Sequence, residues 1–399
     1  MSEIKTFKDL EIDETFIAKL EQNQITVPTG VQKQAIPLIQ QNQNLLFQSE
    51  TGTGKTLAYA LPLLNKIQLP LLNNIQTIQN EKKEILILVA SPTFELASQI
   101  KNQFKMVSDI KTALLIGGAP IKRQIETLKE KPAVVIGTPA RLVELIHLKK
   151  IKLEGLQAIV LDEVDRLLSP ELRDYTEELI NCPKKDVQLI ACSATISAAT
   201  QKVLNNAKIK SDGTKTAEIQ TLFLPPEDVL KKRITHIALF AERRDKIDTL
   251  RKLLAAENPS KALVFTSRLD QVQNIVSKLK YKNIECMFLH AKMDKQERKS
   301  AMDKFRSGKC KILVTSDLTS RGLDIPDISH VIQMDMPSND DFFIHRAGRT
   351  ARAGKTGINI VIGDEYEMQK YANLEKKLGL TVYPRILYKG KLVAPLQDE

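Results

Sequence analysis

Short runs of apolar residues alternate along the whole chain with longer segments of amphipathic pattern. In the first half these runs occupy 44–48, 85–90, 112–116, 133–137, 158–161 and 187–191, and in the second half 234–240, 262–266, 285–289, 311–315, 330–334 and 357–362. Apolar runs of this length, separated by helical patterns such as 122–129 and 246–254, are typical of βα units around a buried parallel sheet. We therefore predict an α/β fold with two tandem domains, each a parallel sheet flanked by helices.

The boundary between the two sets of runs is predicted within 208–232. This stretch contains two adjacent prolines and a basic cluster, and it shows no sustained apolar period. We assign 1–220 to the first domain, 221–232 to a linker and 233–399 to the second domain. A further connection is predicted at 65–84, where Asn and Gln are in excess after a helical pattern.

The positive charge of the chain is unevenly distributed. The 399 residues carry 59 Lys and Arg against 48 Asp and Glu, which gives a net charge of +11. Residues 1–200 carry 23 of each sign, so the whole excess lies in 201–399, with 36 cations and 25 anions. This asymmetry indicates a polyanionic partner for the second half, with a solvated basic surface as the open alternative.

The same sequence argues against membrane and disulfide-rich classes of protein. No apolar run reaches the roughly 18 residues of a membrane-spanning helix, so no membrane partner is expected. The four cysteines form no Cys-x-x-Cys pair, which favours a reducing, cytoplasmic compartment and argues against a structural zinc site.

A glycine-rich segment follows the first apolar run and precedes a helical pattern. Its residues are Ser49, Glu50, Thr51, Gly52, Thr53, Gly54, Lys55 and Thr56. A phosphate group needs a loop without Cβ atoms in the way, inward-pointing backbone N–H groups and a helix N-terminus behind it. We predict that the whole segment binds a nucleotide, that Lys55 reaches the β- and γ-phosphates, and that the Thr56 hydroxyl coordinates Mg²⁺.

A second candidate is the acidic end of the apolar run 158–161. Asp162 and Glu163 follow the run directly, an arrangement that suits Mg²⁺ binding by the first carboxylate and water activation by the second. Alone, such a strand end is commonly a helix N-cap, and the preceding phosphate loop favours the catalytic interpretation. The amide of Gln32 can donate and accept together, which suits the edge of adenine, although composition alone makes it a surface residue at a helix start.

Together these segments resemble the DEAD-box ATP-dependent RNA helicases of helicase superfamily 2. The resemblance extends from Phe7 to about Gly363 and includes the family's motifs in their order. It implies two RecA-like domains, ATP and Mg²⁺ as ligands, and RNA as a partner. In the first domain it implies adenine contacts by Phe7 and Gln32, coupling of ATP hydrolysis to strand separation by Asp165, Ser193 and Thr195, and RNA contacts by Thr93, Gly118, Thr138 and Arg141.

The second half carries segments that resemble the family's motifs IV, V and VI at 263–268, 315–324 and 345–352. The resemblance implies RNA contacts by Arg268, Arg298 and Thr315, ribose binding by Asp324, and a coupling role for His345. It also implies that Arg349 and Arg352 reach the ATP γ-phosphate, where an arginine stabilises phosphoryl-transfer charge. Because Arg346, Arg349 and Arg352 recur every three residues, we predict a helix that carries them near one face.

Three departures from the family pattern stand out. Phe94 replaces an arginine of motif Ia and is predicted either to pack or to stack on a sugar or base. Lys295 replaces a glutamine three residues before Arg298 and can still meet a phosphate as a point charge. Val164 replaces a smaller residue of motif II and is predicted to point away from the carboxylates.

The predicted function is RNA-stimulated ATP hydrolysis coupled to local, non-processive RNA unwinding or to remodelling of RNA–protein complexes. Contacts to phosphate and 2′-OH groups do not read sequence, so RNA is expected to be recognised by backbone shape, with protein cofactors supplying the choice of target. Two alternatives stay open: an ATP-gated RNA clamp that does not unwind, and a DNA helicase.

Overall fold

Two sheets organise the chain, each within its own unit. The computed structural model describes residues 4–49, 52–73, 85–183, 187–207, 219–223, 229–290, 293–316, 325, 327–351 and 355–395. The two units comprise residues 1–227 and 228–399. Their division therefore falls inside the stretch that we assigned to the linker.

The N-terminal unit is built on seven parallel strands in the order β3-β4-β2-β5-β6-β1-β7. The strands are β1 (Leu45–Gln48), β2 (Ile87–Ala90), β3 (Thr112–Leu115), β4 (Val134–Gly137), β5 (Ala158–Asp162), β6 (Gln188–Ser193) and β7 (Gln220–Phe223). The helices are α1 (Glu14–Gln22), α2 (Gly30–Gln40), α3 (Lys55–Asn73), α4 (Phe94–Val107), α5 (Ile121–Lys129), α6 (Pro139–His147), α7 (Val164–Leu167), α8 (Arg173–Asn181) and α9 (Ala198–Ala207). Alternate strand residues belong to two separate hydrophobic clusters, so both faces of the sheet are covered.

The C-terminal unit is built on eight strands in the order β10-β11-β9-β12-β13-β8-β14-β15, of which only β15 is antiparallel to its neighbour. The strands are β8 (Ile234–Phe240), β9 (Ala262–Thr266), β10 (Met287–Leu289), β11 (Ile312–Ser316), β12 (His330–Gln333), β13 (Gly357–Gly363), β14 (Val382–Tyr388) and β15 (Lys391–Val393). The described helices are α10 (Lys246–Glu257), α11 (Leu269–Tyr281), α12 (Lys295–Arg306), α13 (Asp340–Ala347) and α14 (Glu365–Leu378).

The predicted fold class is confirmed, and every predicted apolar run coincides with a strand. Three strands were missed, namely β7, β14 and β15. All three lie at or next to a sheet edge and contain only half-buried and exposed residues. The connection predicted from residue 65 was wrong for its first part, because α3 continues to Asn73. Ile67 extends the buried stripe of Leu57, Leu61 and Leu64, which keeps the helix on the core. Residues 74–84 lie outside the described residues.

Among the described residues, none of the helices combines the length and the apolar character that crossing a bilayer requires.

Candidate nucleotide and RNA sites

Three predicted motifs of the N-terminal unit meet at the carboxyl ends of the adjacent strands β5, β6 and β1. Asp162 lies opposite Cys192 in the sheet, and Gln48 lies opposite Ser193. The backbone N–H of Ser49 donates to the carbonyl of Ser193 at 2.9 Å. The phosphate loop and the Ser-Ala-Thr segment are therefore joined directly, at the edge where open parallel sheets bind ligands.

The Ser-Ala-Thr segment is held by two further hydrogen bonds. Gln48 Nε2 donates to the carbonyl of Ala194 at 3.1 Å, and the N–H of Thr195 donates to Ser193 Oγ at 3.2 Å. Ser193 is fully buried at the end of β6. A displacement of the phosphate loop would thus be transmitted to this segment through short bonds.

Gln32 connects the start of α2 to the phosphate loop. Its Oε1 accepts the N–H of Thr29 at 2.9 Å, and its Nε2 donates to the carbonyl of Gly54 at 3.2 Å. Gly54 has a φ of +90°, and a Cβ at this position would lie 2.5 Å from Gln32 Nε2, so both conformation and space require glycine. The surface interpretation of Gln32 is wrong, because the side chain is only 1% exposed. Its reading of adenine stays a prediction.

The side chain of Lys55 bonds back to the first residue of the phosphate loop. Its Nζ donates to the carbonyl of Ser49 at 2.6 Å, and the hydroxyls of Ser49 and Thr53 lie 2.5 Å apart. Helix α3 begins at Lys55, so an N-terminal helix dipole and an amine act on the same loop. Glu50 and Thr51 lie outside the described residues.

Asp162 is held by two neutral donors. The Tyr59 hydroxyl donates to Oδ2 at 2.8 Å, the Cys192 thiol donates to Oδ1 at 3.2 Å, and the carboxylate is buried. Burial raises the pKa of the Tyr59 phenol and of the Cys192 thiol, and the charge of Asp162 raises both pKa values further. Both groups therefore stay protonated donors at neutral pH. Sequence reasoning missed both; the signal for Tyr59 was its place one helical turn after Thr56.

The residues at this position fit Mg²⁺. Asp162 supplies carboxylate oxygens, and the Thr56 hydroxyl lies within hydrogen-bonding reach of Tyr59 beside it. No group of three or more His, Cys, Asp or Glu that could hold a metal occurs among the residues that the structure describes. A sparse oxygen set suits Mg²⁺, which proteins usually bind through one or two carboxylates together with substrate phosphates.

Glu163 occupies a strained backbone conformation, with φ +56° and ψ +56° at the start of α7. A non-glycine residue in this left-handed region costs on the order of 1–3 kcal/mol, and such strain clusters at functional sites. The neighbouring Val164 is fully buried in the core, while Asp165 is half-buried in the first turn of α7. Ten other described non-glycine residues also have a positive φ, so the conformation agrees with a special role for Glu163 but does not identify it, and that role stays a prediction.

The RNA-contacting residues predicted in the N-terminal unit follow the adjacent strands β2, β3 and β4. Thr93 caps α4 by accepting the N–H of Leu96 at 3.2 Å. Thr138 precedes α6 and accepts the N–H of Gly117 at 3.4 Å, and Gly118 follows with a φ of +74°. The structure thus brings two helix N-termini and a glycine loop together at one edge of the sheet.

The glycine loop is fixed by two side chains. Arg141 Nη1 donates to the carbonyl of Ala119 at 3.1 Å, and Arg141 Nε pairs with Glu144 at 2.8 Å. The buried Gln124, which sequence reasoning missed, accepts the N–H of Ile116 and donates to its carbonyl, both at 2.9 Å. Arg141 therefore has a structural task besides its predicted RNA contact.

Phe94 is the first residue of α4 and is 38% exposed. Phe94 is therefore not a core residue, and its stacking on a sugar or base stays a prediction. The side chain of Lys295 lies outside the described part of the chain.

In the C-terminal unit Arg346 is a buried structural residue. Its guanidinium donates to Ser267 Oγ and to the Asp335 carbonyl, each at 2.9 Å, and lies 3.2 Å from Asp335 Oδ1. The prediction of one arginine-bearing helix face was wrong, because α13 ends at Ala347 and Arg346 points into the core. Arg349 follows in a turn and is also buried, while Arg352 lies outside the described residues.

The other predicted residues of this unit are spread over several elements. Arg268 is exposed and pairs with Asp270 at 2.7 Å, whereas Thr315 is fully buried at the end of β11. Arg298 on α12 and His345 on α13 are half-buried. Asp324 lies outside the described residues. The roles of these residues stay predictions.

A phosphate loop that opens a helix, with an acidic strand end beside it on a parallel sheet, defines a P-loop nucleoside triphosphate hydrolase. Family models for the DEAD/DEAH box helicase and the helicase conserved C-terminal domain match residues 29–203 and 245–354. The chain belongs to the DEAD-box ATP-dependent RNA helicases, so it is an ATP-hydrolysing enzyme, and the resemblance found in its sequence is confirmed.

Individual relatives and solved structures agree with this assignment. The chain is 36% identical to the DEAD-box ATP-dependent RNA helicase CshC of Bacillus cereus, over 92% of this chain and 89% of that protein. It is 36% identical to the probable ATP-dependent RNA helicase YfmL of Bacillus subtilis, over 92% of each chain. The structure of S. cerevisiae Dbp5 bound to RNA and ADP BeF3 matches with a TM-score of 0.78 and 25% identity, over 95% of this chain and 96% of that one.

Proposed function

We propose that this protein couples RNA-stimulated ATP hydrolysis to the local, non-processive separation of RNA duplexes or to the remodelling of RNA–protein complexes. The observation that carries the proposal is the direct bond between Ser49 of the phosphate loop and Ser193 of the Ser-Ala-Thr segment. Through this bond, the state of the bound phosphate acts on the segment whose family role is coupling.

Separate residues are proposed to bind the phosphates, hold Mg²⁺, activate the water and stabilise the transition state. Lys55 and the N-terminus of α3 bind the phosphates, and Asp162 with Thr56 holds Mg²⁺, which would neutralise phosphate charge as a Lewis acid. Glu163 orients and deprotonates the attacking water. Arg349 and Arg352 supply positive charge to the γ-phosphate when ATP and RNA are both bound, a contribution of about 10³–10⁵ in rate.

RNA binding is proposed through the helix N-termini and glycine loop after β2, β3 and β4, together with Arg268, Arg298 and Thr315. Each ligand favours the same conformational state, so ATP and RNA should tighten each other's binding. The RNA bound to Dbp5 in its solved structure supports RNA over DNA, and a further Dbp5 structure, bound to Gle1 and IP6, supports protein cofactors as partners. A cytoplasmic location is proposed because all four cysteines are free thiols.

The proposal is tested by measuring ATP turnover with single-stranded RNA and with single-stranded DNA of the same sequence, followed by strand displacement on a short RNA duplex. We expect strong stimulation by RNA alone and ATP-dependent displacement. Equal stimulation by DNA would favour the DNA helicase, and stimulation without displacement would favour the clamp.

A single variant tests the role of Glu163. Glu163→Gln should lower RNA-stimulated turnover by about 10²–10⁴, as expected for loss of a general base, while retaining ATP-dependent RNA binding. Glu171→Gln, at an exposed glutamate on the same segment, is the matched control and should turn over normally. Full turnover by Glu163→Gln would remove Glu163 from the mechanism.

A further inference from the structure

An aromatic patch lies on the C-terminal unit apart from all of the predicted motifs. Phe240 ends β8, Ile386 and Tyr388 belong to β14, and Lys391 begins β15. Phe240 is 54% exposed, Ile386 38% and Tyr388 56%. We call these four residues, together with Lys389 in the adjoining turn, the edge platform.

The strand register places the four strand residues on one face of the sheet. Arg385 pairs with Leu239, so Ile386 comes next to Phe240, and Tyr388 pairs with Lys391. The alternate positions Ile237, Leu239, Leu387 and Leu392 face the hydrophobic cluster under α10. Because successive strand residues point to opposite faces, the edge platform lies on the face away from α10.

Helix α14 covers the inner part of that face. Its Tyr371 and Leu374 pack with Ile234 and Val361 on the neighbouring strands β8 and β13. The carboxyl ends of β8 and β14 extend beyond this cluster, which explains why Phe240 and Tyr388 remain exposed. The result is an exposed sheet surface with two aromatic rings.

The turn end of the edge platform is basic. Lys389 and Lys391 flank the turn beside Tyr388, and residues 376–393 contain no Asp or Glu. Lys389 and Gly390, both at positive φ, form a two-residue hairpin turn between β14 and β15. This turn holds the Lys389 ammonium 5.2 Å from the centre of the Tyr388 ring.

Acidic groups near the Phe240 end of the platform are accompanied by arginines. Glu242, the nearest of them in the chain, is exposed and is followed directly by Arg243 and Arg244. Asp364 follows β13, pairs with Arg243 at 3.4 Å and caps α14 by accepting the N–H of Glu367. The positive charge that the platform offers to a partner therefore lies at its turn, on Lys389 and Lys391.

We propose that the edge platform binds single-stranded RNA that extends beyond the motif-bound segment. Bases would stack on Phe240 and Tyr388, and Lys389 and Lys391 would contact phosphates. Open aromatic faces on a sheet with interleaved cations suit nucleobases and phosphates, whereas an acidic peptide would need a groove for its side chains. This inference rests on the proposed RNA-dependent function.

The distance between the edge platform and Arg268 determines how long an RNA must be to contact both. Strand β14 lies four strand spacings from β9, after which Arg268 follows, a distance of about 19 Å. At about 3.4 Å per stacked nucleotide, this distance corresponds to roughly six nucleotides. A short RNA bound at the motifs should therefore not reach the platform.

The test compares the affinities of RNAs of about six and about sixteen nucleotides for the full chain in the presence of a non-hydrolysable ATP analogue. Tyr388→Ala should weaken binding of the long RNA by about five- to tenfold and leave the short RNA unchanged. Tyr388→Phe, which keeps the ring, should bind both normally. Tyr281→Ala is the matched control, since Tyr281 is exposed and also has a lysine over its ring.

Salt dependence tests the phosphate contacts separately. The double variant Lys389→Gln, Lys391→Gln should reduce the log–log slope of long-RNA affinity against salt by about 1.4, at about 0.7 per contact. The control Lys278→Gln, Lys282→Gln should leave that slope unchanged.

The outcomes separate this inference from the proposed function. One outcome is that short RNA stimulates the wild-type ATPase while Tyr388→Ala and the double lysine variant both bind long RNA with wild-type affinity. In that case the edge platform does not bind RNA, and a protein becomes the partner to test for this face. If no RNA stimulates the wild-type ATPase, the proposed function itself fails.

Discussion

Two aspartates at the carboxyl ends of parallel strands have opposite surroundings. Asp162, at the end of β5, accepts hydrogen bonds from the neutral Tyr59 hydroxyl and Cys192 thiol. Asp335, just after β12, faces the guanidinium of Arg346. Under the proposed function Asp162 is available to a metal ion, whereas the charge of Asp335 is balanced by an arginine within the fold. We therefore propose different roles for the same residue type at similar places in the two sheets, a metal ligand in the first and a structural ion pair in the second.

The largest expected effect comes from removing the charge of Asp162. Asp162→Asn keeps the side-chain shape but removes the anionic Mg²⁺ ligand, so RNA-stimulated ATP turnover should fall by at least about 10³. The melting temperature should not fall, because the variant removes a buried charge. Turnover by steady-state assay and calorimetric unfolding measure the two effects. Substantial turnover in this variant would end the assignment of Asp162 as a metal ligand.

The corresponding test in the C-terminal unit is Arg346→Ala. It leaves the Asp335 carboxylate largely buried without its cation, which should lower the free energy of unfolding by about 2–3 kcal/mol. Urea denaturation of the full chain measures this loss. Arg268→Ala, at an exposed arginine that also pairs with an aspartate, is the control and should show no measurable change. Equal stability of the two variants would show that the Arg346 pair does not hold the unit together.

The pH dependence of stability follows from the same pair. Burial raises the pKa of Asp335, but the charge of Arg346 and the hydrogen bonds from Ser267 and Thr266 outweigh burial and hold that pKa below its usual range. This contribution to stability is therefore present above the unfolded pKa of about 3.9 and is lost as the pH falls through the lower folded value. Urea unfolding at a series of acidic pH values should show a shallower slope for Asp335→Asn than for the wild type. Parallel slopes would contradict the assignment.

Much of the fold could be predicted from the sequence because buried parallel strands are continuous apolar runs. The strands β7, β14 and β15 were not predicted, because strands at or near a sheet edge are half-exposed and lack a continuous apolar run. Strand β14 also contains Pro384. The spacing of arginines in motif VI misled us, since a three-residue interval says nothing about where a helix ends. Gly348 caps α13 just after Arg346, and this removes Arg349 from the helix.

The phosphate loop and the acidic strand end could be found from sequence because each is a short local motif. The groups that position them are distant along the chain and carry no motif. Tyr59 reaches Asp162 from a position 103 residues away, and Gln32 reaches Gly54 from 22 residues away. Such contacts are set by the packing of α2 and α3 on the sheet, which local patterns do not encode.

The smallest expected effect concerns the hydroxyl that donates to the Asp162 carboxylate. Tyr59→Phe removes the hydroxyl that orients the Asp162 carboxylate but leaves its charge, so the Mg²⁺ concentration for half-maximal turnover should rise by about tenfold. Turnover at saturating Mg²⁺ should stay within about twofold of the wild type, because the variant keeps every group that contacts ATP. Tyr175→Phe, at an exposed tyrosine on α8, is the control. A Mg²⁺ titration that superimposes on the wild type would show that the phenol serves only the packing of α3. A loss of turnover at saturating Mg²⁺ would show instead that Tyr59 acts on the reaction and not through the orientation of Asp162.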